Sequence, residues 1–290
     1  MSPTATYENV PEHSFAGFIL PDLVSDCHYP LFLSPHCYNV ARASEKWLLI
    51  GARLVEPRVT KFMGLKAGEL TAACYPDADE FHLRVCSDFM NWLFNMDDWL
   101  DEFDVTDTWG MRESCIGAFR DPINFETNKL GGLMSKSCVF SFGSPLCFCG
   151  VGKLISKRRR FFSRFIQTGG PGCTKRFIHT MDLFFIAVVK QADDRANGRI
   201  PDLESYITVR RDTSGCKPCF ALIEYAARID LPDEIMSHPV IMAMEESTND
   251  LVTWSNVSHA SPLVRLRRLI RIPRTSFPTT SSNLDAIRTT

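Results

Sequence analysis

The chain is first narrowed by what it lacks. No apolar run approaches the roughly 20 residues that a membrane-spanning helix needs; Met181–Val189 comes nearest and stops well short. No basic stretch followed by an apolar one opens the sequence, so a non-secreted, cytoplasmic protein is expected. The histidines form neither His-x-x-x-His nor H-E-x-x-H, which excludes the usual helical zinc signatures. G-x-G-x-x-G and the P-loop are absent too, which removes the common glycine-rich phosphate cradles. Convincing β-alternation and internal repeats are missing. The net charge is only -2 over 290 residues, which argues against nucleic acid as a partner.

Cysteine is plentiful by contrast. Eleven cysteines, an odd number without regular spacing, read as reduced thiols of a cytoplasmic protein. Cys216-Lys217-Pro218-Cys219 is a lone C-x-x-C with no second pair at zinc-finger spacing. The length suits one large domain or two small ones, and a hydrophobic fraction of 45% is ordinary for a globular chain.

Apolar residues recur at helical spacing. The pattern predicts helices over Asn39–Val55, Asp79–Asp101, Cys173–Ala192, Leu203–Arg211, Pro218 to about Ile229, and Ile235–Asn256. Gly169-Gly170-Pro171-Gly172 reads as a turn between helices. The expected fold class is all-α, a helical bundle around an apolar centre.

The most informative segment is Asp97-Asp98-Trp99-Leu100-Asp101 at the end of the second of these helices. A 3.6-residue repeat puts Asp97 and Asp101 on one face with Asp98 beside them. Carboxylates clustered beside apolar residues need water or cations, and hard divalent ions with oxygen ligands suit them. A solvated helix end is the plain alternative. Phe89, Met90, Trp92, Leu93, Phe94 and Met96 precede the cluster, which places it at an apolar mouth. Phe89, Trp92 and Phe185 are candidate walls of such a cavity, although aromatic residues at helical spacing more often form plain core.

From Phe18-Ile19-Leu20-Pro21-Asp22-Leu23 to about Asn256, interrupted at 139–160, the chain resembles the fungal class I terpene synthases, chiefly the sesquiterpene cyclases. Asn95-Met96-Asp97-Asp98-Trp99-Leu100-Asp101-Glu102 resembles the family's first metal motif. Arg210-Arg211-Asp212-Thr213-Ser214-Gly215 resembles its diphosphate-sensing segment. The resemblance implies Mg2+ at Asp97, Asp98 and Asp101, a sensor at Arg210 or Arg211, a linker at Ser214 and a helix-break effector at Gly215. It also implies an isoprenoid diphosphate partner, farnesyl diphosphate, which is ionised and cyclised to a sesquiterpene in an apolar pocket. No signal for an oligomeric state is present.

The family's second metal motif, N-D-x-x-S-x-x-x-E, is incomplete. Trp254-Ser255-Asn256 resembles its start, and Asn256 is carried over as a metal ligand. Val257, Ala260 and Val264 then stand where Asp, Ser and Glu are expected. A register on Asn249-Asp250 supplies Thr253 but ends on Val257. The family's C-terminal helices are accordingly expected to be missing or altered. The expected result is weak or absent cyclase activity, the alternative being a catalytically silent relative that binds a diphosphate or a partner. An all-α interaction protein with a basic tail is the reading independent of resemblance.

The terpene synthase domain is placed at 1–256, with 139–160 an atypical insertion and 257–290 an atypical basic Ser/Thr/Arg-rich tail. Such stretches are commonly partner-binding arms or disordered tails. Both, however, open on valine, whose codons begin GT, and Val257-Ser258 can be written GTGAGT, a splice-donor sequence. We hypothesise that each is translated intron. The mature transcript is expected to lack both; sequencing it and finding either would remove the idea for that segment.

Overall fold

The computed structural model describes residues 28–122, 124–135 and 161–260. The chain divides into two compact units, Met1–Phe32 and Leu33–Thr290. Of the first, only 28–32 are described, and they hold no helix. The described part of the second consists of helices and their connections, with no strand. In order these are α1 (Cys37–Ala52), α2 (Arg58–Gly64), α3 (Ala67–Cys74), α4 (Glu80–Leu100), α5 (Val105–Arg120) and α6 (Leu130–Ser135). Next come α7 (Phe161–Thr168), α8 (Pro171–Ala196), α9 (Leu203–Thr213), α10 (Cys216–Ala227), α11 (Asp233–Met236) and α12 (Pro239–Ala260). None of the described helices is long and apolar enough to cross a membrane.

Three starts are set by aspartate caps. The Asp79, Asp104 and Asp202 carboxylates accept from the backbone N–H groups of His82 at 2.9 Å, Asp107 at 2.8 Å and Ser205 at 2.8 Å. Each satisfies an N–H that the helix itself leaves unpaired, a contribution of about 1 kcal/mol. Pro171 opens α8 in its first turn, where a missing N–H costs nothing.

Helix α4 is the axis of the fold. Leu83, Val85, Cys86, Phe89, Met90, Trp92, Leu93, Met96 and Leu100 are all buried, on more than one face. It packs against α1, α3, α6, α7 and α10, while α8 packs against α5, α9 and α10. Between them lies an aromatic cluster. Phe89 meets Phe177 edge-on at 5.1 Å and Phe161 at 5.6 Å. Phe165 stacks on Tyr225 at 4.4 Å. Phe89, Trp92 and Phe185 are thus packed core, and none is left open as a cavity wall.

Two buried carboxylates are paired across helices. Asp88 of α4 accepts from Arg84 at 2.8 Å and from Arg164 of α7. Glu224 of α10 accepts from Nε and Nη2, one edge of the Arg176 guanidinium, at 2.9 and 2.8 Å. Arg176 also donates to the Leu231 carbonyl at 2.8 Å and to Asp233 at 2.6 Å, so one side chain ties α8 to the α10–α11 connection.

The expected helices recur with shifted ends. The last is divided: Ile235 belongs to the short α11, Ser237 and His238 come after it, and α12 begins at Pro239. A proline is favoured at a helix start and excluded from its interior, which explains the break. The backbone of α12 continues past Asn256 to Ala260. The 139–160 insertion and residues 261–290 lie outside the described residues. Gly169-Gly170 joins α7 to α8, as the turn pattern predicts. All seven described cysteines are free thiols, and burial pushes those of Cys216 and Cys219 up, which keeps them protonated.

Replacing Arg176 with Met should cost about 3–5 kcal/mol, because Glu224 then remains buried without its partner. Lys175, whose contact to Asp233 is exposed, should tolerate alanine within about 1 kcal/mol. Urea denaturation of the two variants checks the contrast.

Candidate functional site

The C-terminal end of α4 carries the acidic cluster. Carbonyl dipoles make that end of a helix partly negative, so carboxylates there are disfavoured unless cations answer them. Asp101 closes the helix, its N–H donating to the Asp97 carbonyl at 3.1 Å. The Asp97 carboxyl is pushed up to about 6, first by desolvation and then by the charges of Asp101 and Asp98; Arg210 and Lys61 pull it back. By surface area Asp97 is nonetheless exposed, so its carboxyl meets water at the end of α4.

Cations come from two directions. From α2, Lys61 donates to Asp98 at 2.8 Å, and Arg58 donates to both Glu102 oxygens at 2.9 and 2.7 Å. From α9, Arg210 adds its field to Asp97 and lies 3.4 Å from the Asn256 amide oxygen. Neither α2 cation belongs to a sequence motif. A seven-residue helix with two cations has no signature, and only tertiary packing brings it to the acidic end.

The α9–α10 junction shows how a helix is broken on purpose. Gly215 adopts φ 73°, a left-handed backbone that disfavours other residues. A Cβ there would stand 3.1 Å from Leu93 Cδ2, so the break packs directly on α4. The Ser214 hydroxyl donates to the Arg211 carbonyl and accepts from the Cys216 N–H, both at 3.1 Å. One side chain thereby ties the end of α9 to the start of α10.

Spacing alone left Arg210 and Arg211 equivalent; the geometry separates them. Arg211 donates to Asp250 at 2.7 and 2.6 Å and also to Glu246, bracing α9 on α12. That pairing holds the Asp250 carboxyl below its usual range. Asn249 is buried, donates to the Arg211 carbonyl at 2.7 Å and accepts from Thr253 at 3.1 Å. Asn249, Asp250 and Thr253 are therefore engaged in packing α12, whereas Asn256 is exposed beside Arg210. Of the two asparagines that could open a second metal motif, Asn256 is the one beside Arg210, while Asn249 is bonded to the Arg211 carbonyl.

The donor chemistry suits a hard divalent cation: three carboxylates crowd one helix end, and Asp97 feels the repulsion. No three His, Cys, Asp or Glu side chains among the described residues converge on one point. One or two carboxylates per ion fit Mg2+, which keeps waters and substrate oxygens in its other positions. The open pocket of about 830 Å³ lined by Arg120, Ile166, Lys175, His179 and Asp182 contains none of these residues.

A family model described as "Terpene synthase family 2, C-terminal metal binding" matches residues 88–257. Sesquiterpene synthase 1 of Postia placenta is 46% identical over 238 residues, covering 82% of this chain and 63% of its own length. The chain belongs to the terpene synthase family. Alpha-muurolene synthase of Coprinopsis cinerea is 45% identical, over 84% of this chain and 54% of its own. The chain thus spans less than two thirds of the length of these terpene synthases. Germacradien-4-ol synthase from Streptomyces citricolor shares the fold, with a TM-score of 0.64 at 19% identity over 83% of this chain and 76% of that one. The family match ends at Val257, directly after Asn256.

Because the Asp97 carboxyl is raised in the folded protein, it binds a proton more readily folded than unfolded. Its contribution to stability is therefore full below about pH 4, the ordinary carboxylate value, and lost as pH rises through about 6. Asp97→Asn should raise the thermal midpoint at pH 7.5 and leave it nearly unchanged at pH 4, read by calorimetry at both values.

Proposed function

We propose that this chain binds an isoprenoid diphosphate, farnesyl diphosphate, with Mg2+ at the acidic end of α4, and that its cyclase activity is weak or absent in this form. The observation that carries the reading is Arg210, which lies 3.4 Å from the Asn256 amide oxygen and whose charge also acts on the Asp97 carboxyl. A cation between two sets of oxygen donors suits an anion bridged by metal ions on either side.

In this reading Asp97, Asp98, Asp101 and Asn256 are metal ligands. Bound Mg2+ would neutralise the diphosphate and act as a Lewis acid on the leaving group. Arg210 senses the diphosphate, Ser214 links the broken helices, and Gly215 turns the start of α10 toward the site. Arg211 acts as the brace that positions Arg210. The sesquiterpene synthase names of the relatives support a fifteen-carbon substrate. Phe94, half-buried one turn below Asp97 on its own face of α4, is the apolar surface offered to a prenyl chain; Met90 and Leu93 on that face are buried in the core.

Weak activity is the consequence of the second motif. Val257, Ala260 and Val264 have no oxygen to offer in place of the expected Asp, Ser and Glu. Each ~1.4 kcal/mol of lost transition-state stabilisation is tenfold in rate, so losing most of one ion's ligands lowers turnover by orders of magnitude. A silent diphosphate-binding relative is the second reading, favoured by the match ending at Val257.

The full chain incubated with farnesyl diphosphate and Mg2+ should give trace volatiles or none by gas chromatography. It should still bind an unreactive farnesyl diphosphate analogue in a Mg2+-dependent way, and Arg210→Ala should abolish that binding. Abundant sesquiterpene would overturn the weak-activity reading; analogue binding indifferent to Mg2+ and to Arg210 would overturn the site.

A further inference from the structure

Lys61 stands on α2, away from the helices that carry the acidic cluster and the paired arginines. Its ammonium lies 2.8 Å from the Asp98 oxygen. The bond to Asp98, then the charges of Asp98, Asp101 and Glu102, hold it above its ordinary range. Its side chain is 63% exposed, so charge rather than packing keeps it there. Arg58, one turn earlier, binds Glu102 instead and leaves Asp98 to Lys61. An ammonium and a divalent cation seek the same carboxylate lone pairs, and one Asp98 oxygen cannot serve both at full strength.

We propose that Lys61 is the resident counter-ion of the acidic cluster and must leave Asp98 before a divalent cation can use the carboxylate oxygen that it holds. The proposal rests on the reading of Asp97, Asp98 and Asp101 as cation ligands. In the cation-free protein Lys61 relieves the repulsion at the end of α4. An exposed ion pair is weak, so Lys61 sets a threshold for cation entry and does not block it. A divalent ion brings twice the charge and displaces the ammonium once its concentration is high enough. Loss of Lys61 removes both the competitor and a repelling positive charge, and the two effects share one sign.

The test is titration of the full chain with Mn2+ alone, free ion being read by electron paramagnetic resonance. Lys61→Gln should bind Mn2+ about three-fold more tightly than the unaltered chain, the size expected for release of an exposed pair. Lys61→Arg, which keeps the pair, should restore the original affinity. Arg58→Gln removes the same unit of charge one turn away and should tighten binding by less than Lys61→Gln. Equal tightening in both Gln variants would reduce the effect to net charge and overturn the proposal, as would unchanged or weaker binding in Lys61→Gln. If Asp97→Asn with Asp101→Asn abolishes Mn2+ uptake while Lys61→Gln binds like the unaltered chain, the ligands stand and the role of Lys61 falls. Absence of Mn2+ uptake in every chain would remove both.

Discussion

A helix presents carbonyls at its C-terminal end, and α4 adds three carboxylates to that end. Neither the backbone dipole nor the neighbouring charges favour this, and the raised Asp97 carboxyl shows the cost in the folded protein. The arrangement persists because the rest of α4 is held by burial and pairing. Its apolar residues are buried against five other helices, and Asp88 is fastened to Arg84 and to Arg164 on α7. A rigid hydrophobic axis thus carries an electrostatically unfavourable tip to one place, where opposite charge is needed. The cations around it, Lys61 and Arg58 on one side and Arg210 on the other, answer that need.

The same division of labour recurs at α9. Adjacent arginines point to different tasks because a helix turns about 100° per residue. Arg211 is fully engaged with Asp250 and Glu246. Arg210, one step round, lies beside Asn256 and its charge acts on Asp97. Ser214 and Gly215 end α9 immediately afterwards, so Arg210 stands near a joint between two helices that both contact α4 or its neighbours.

Much of this was legible in the residues. The period of the apolar positions marked α4 to within its capping aspartates, and aspartate crowding marked the site. Proline and glycine punctuation marked the α7–α8 turn. Helix α5 escaped notice because glycines, charges and polar residues are mixed through it without a clean stripe. The α2 cations escaped because their importance comes from packing distant in sequence, Lys61 and Asp98 being 37 residues apart. The choice between Arg210 and Arg211, and between Asn249 and Asn256, rested on helix phase at contacts between elements, which spacing does not encode. Phe89 and Trp92 before the cluster are core: Phe161 and Phe177 pack on Phe89, and Phe161 also packs on Trp92.

The brace of Arg211 on α12 has a practical meaning for repair of the chain. Asp250, Glu246 and Asn249 seat α12 on α9 through contacts that all lie upstream of Asn256. A transplant from a longer relative, joined at Asn256, would inherit a ready-aligned dock and would have only its own downstream partners to find.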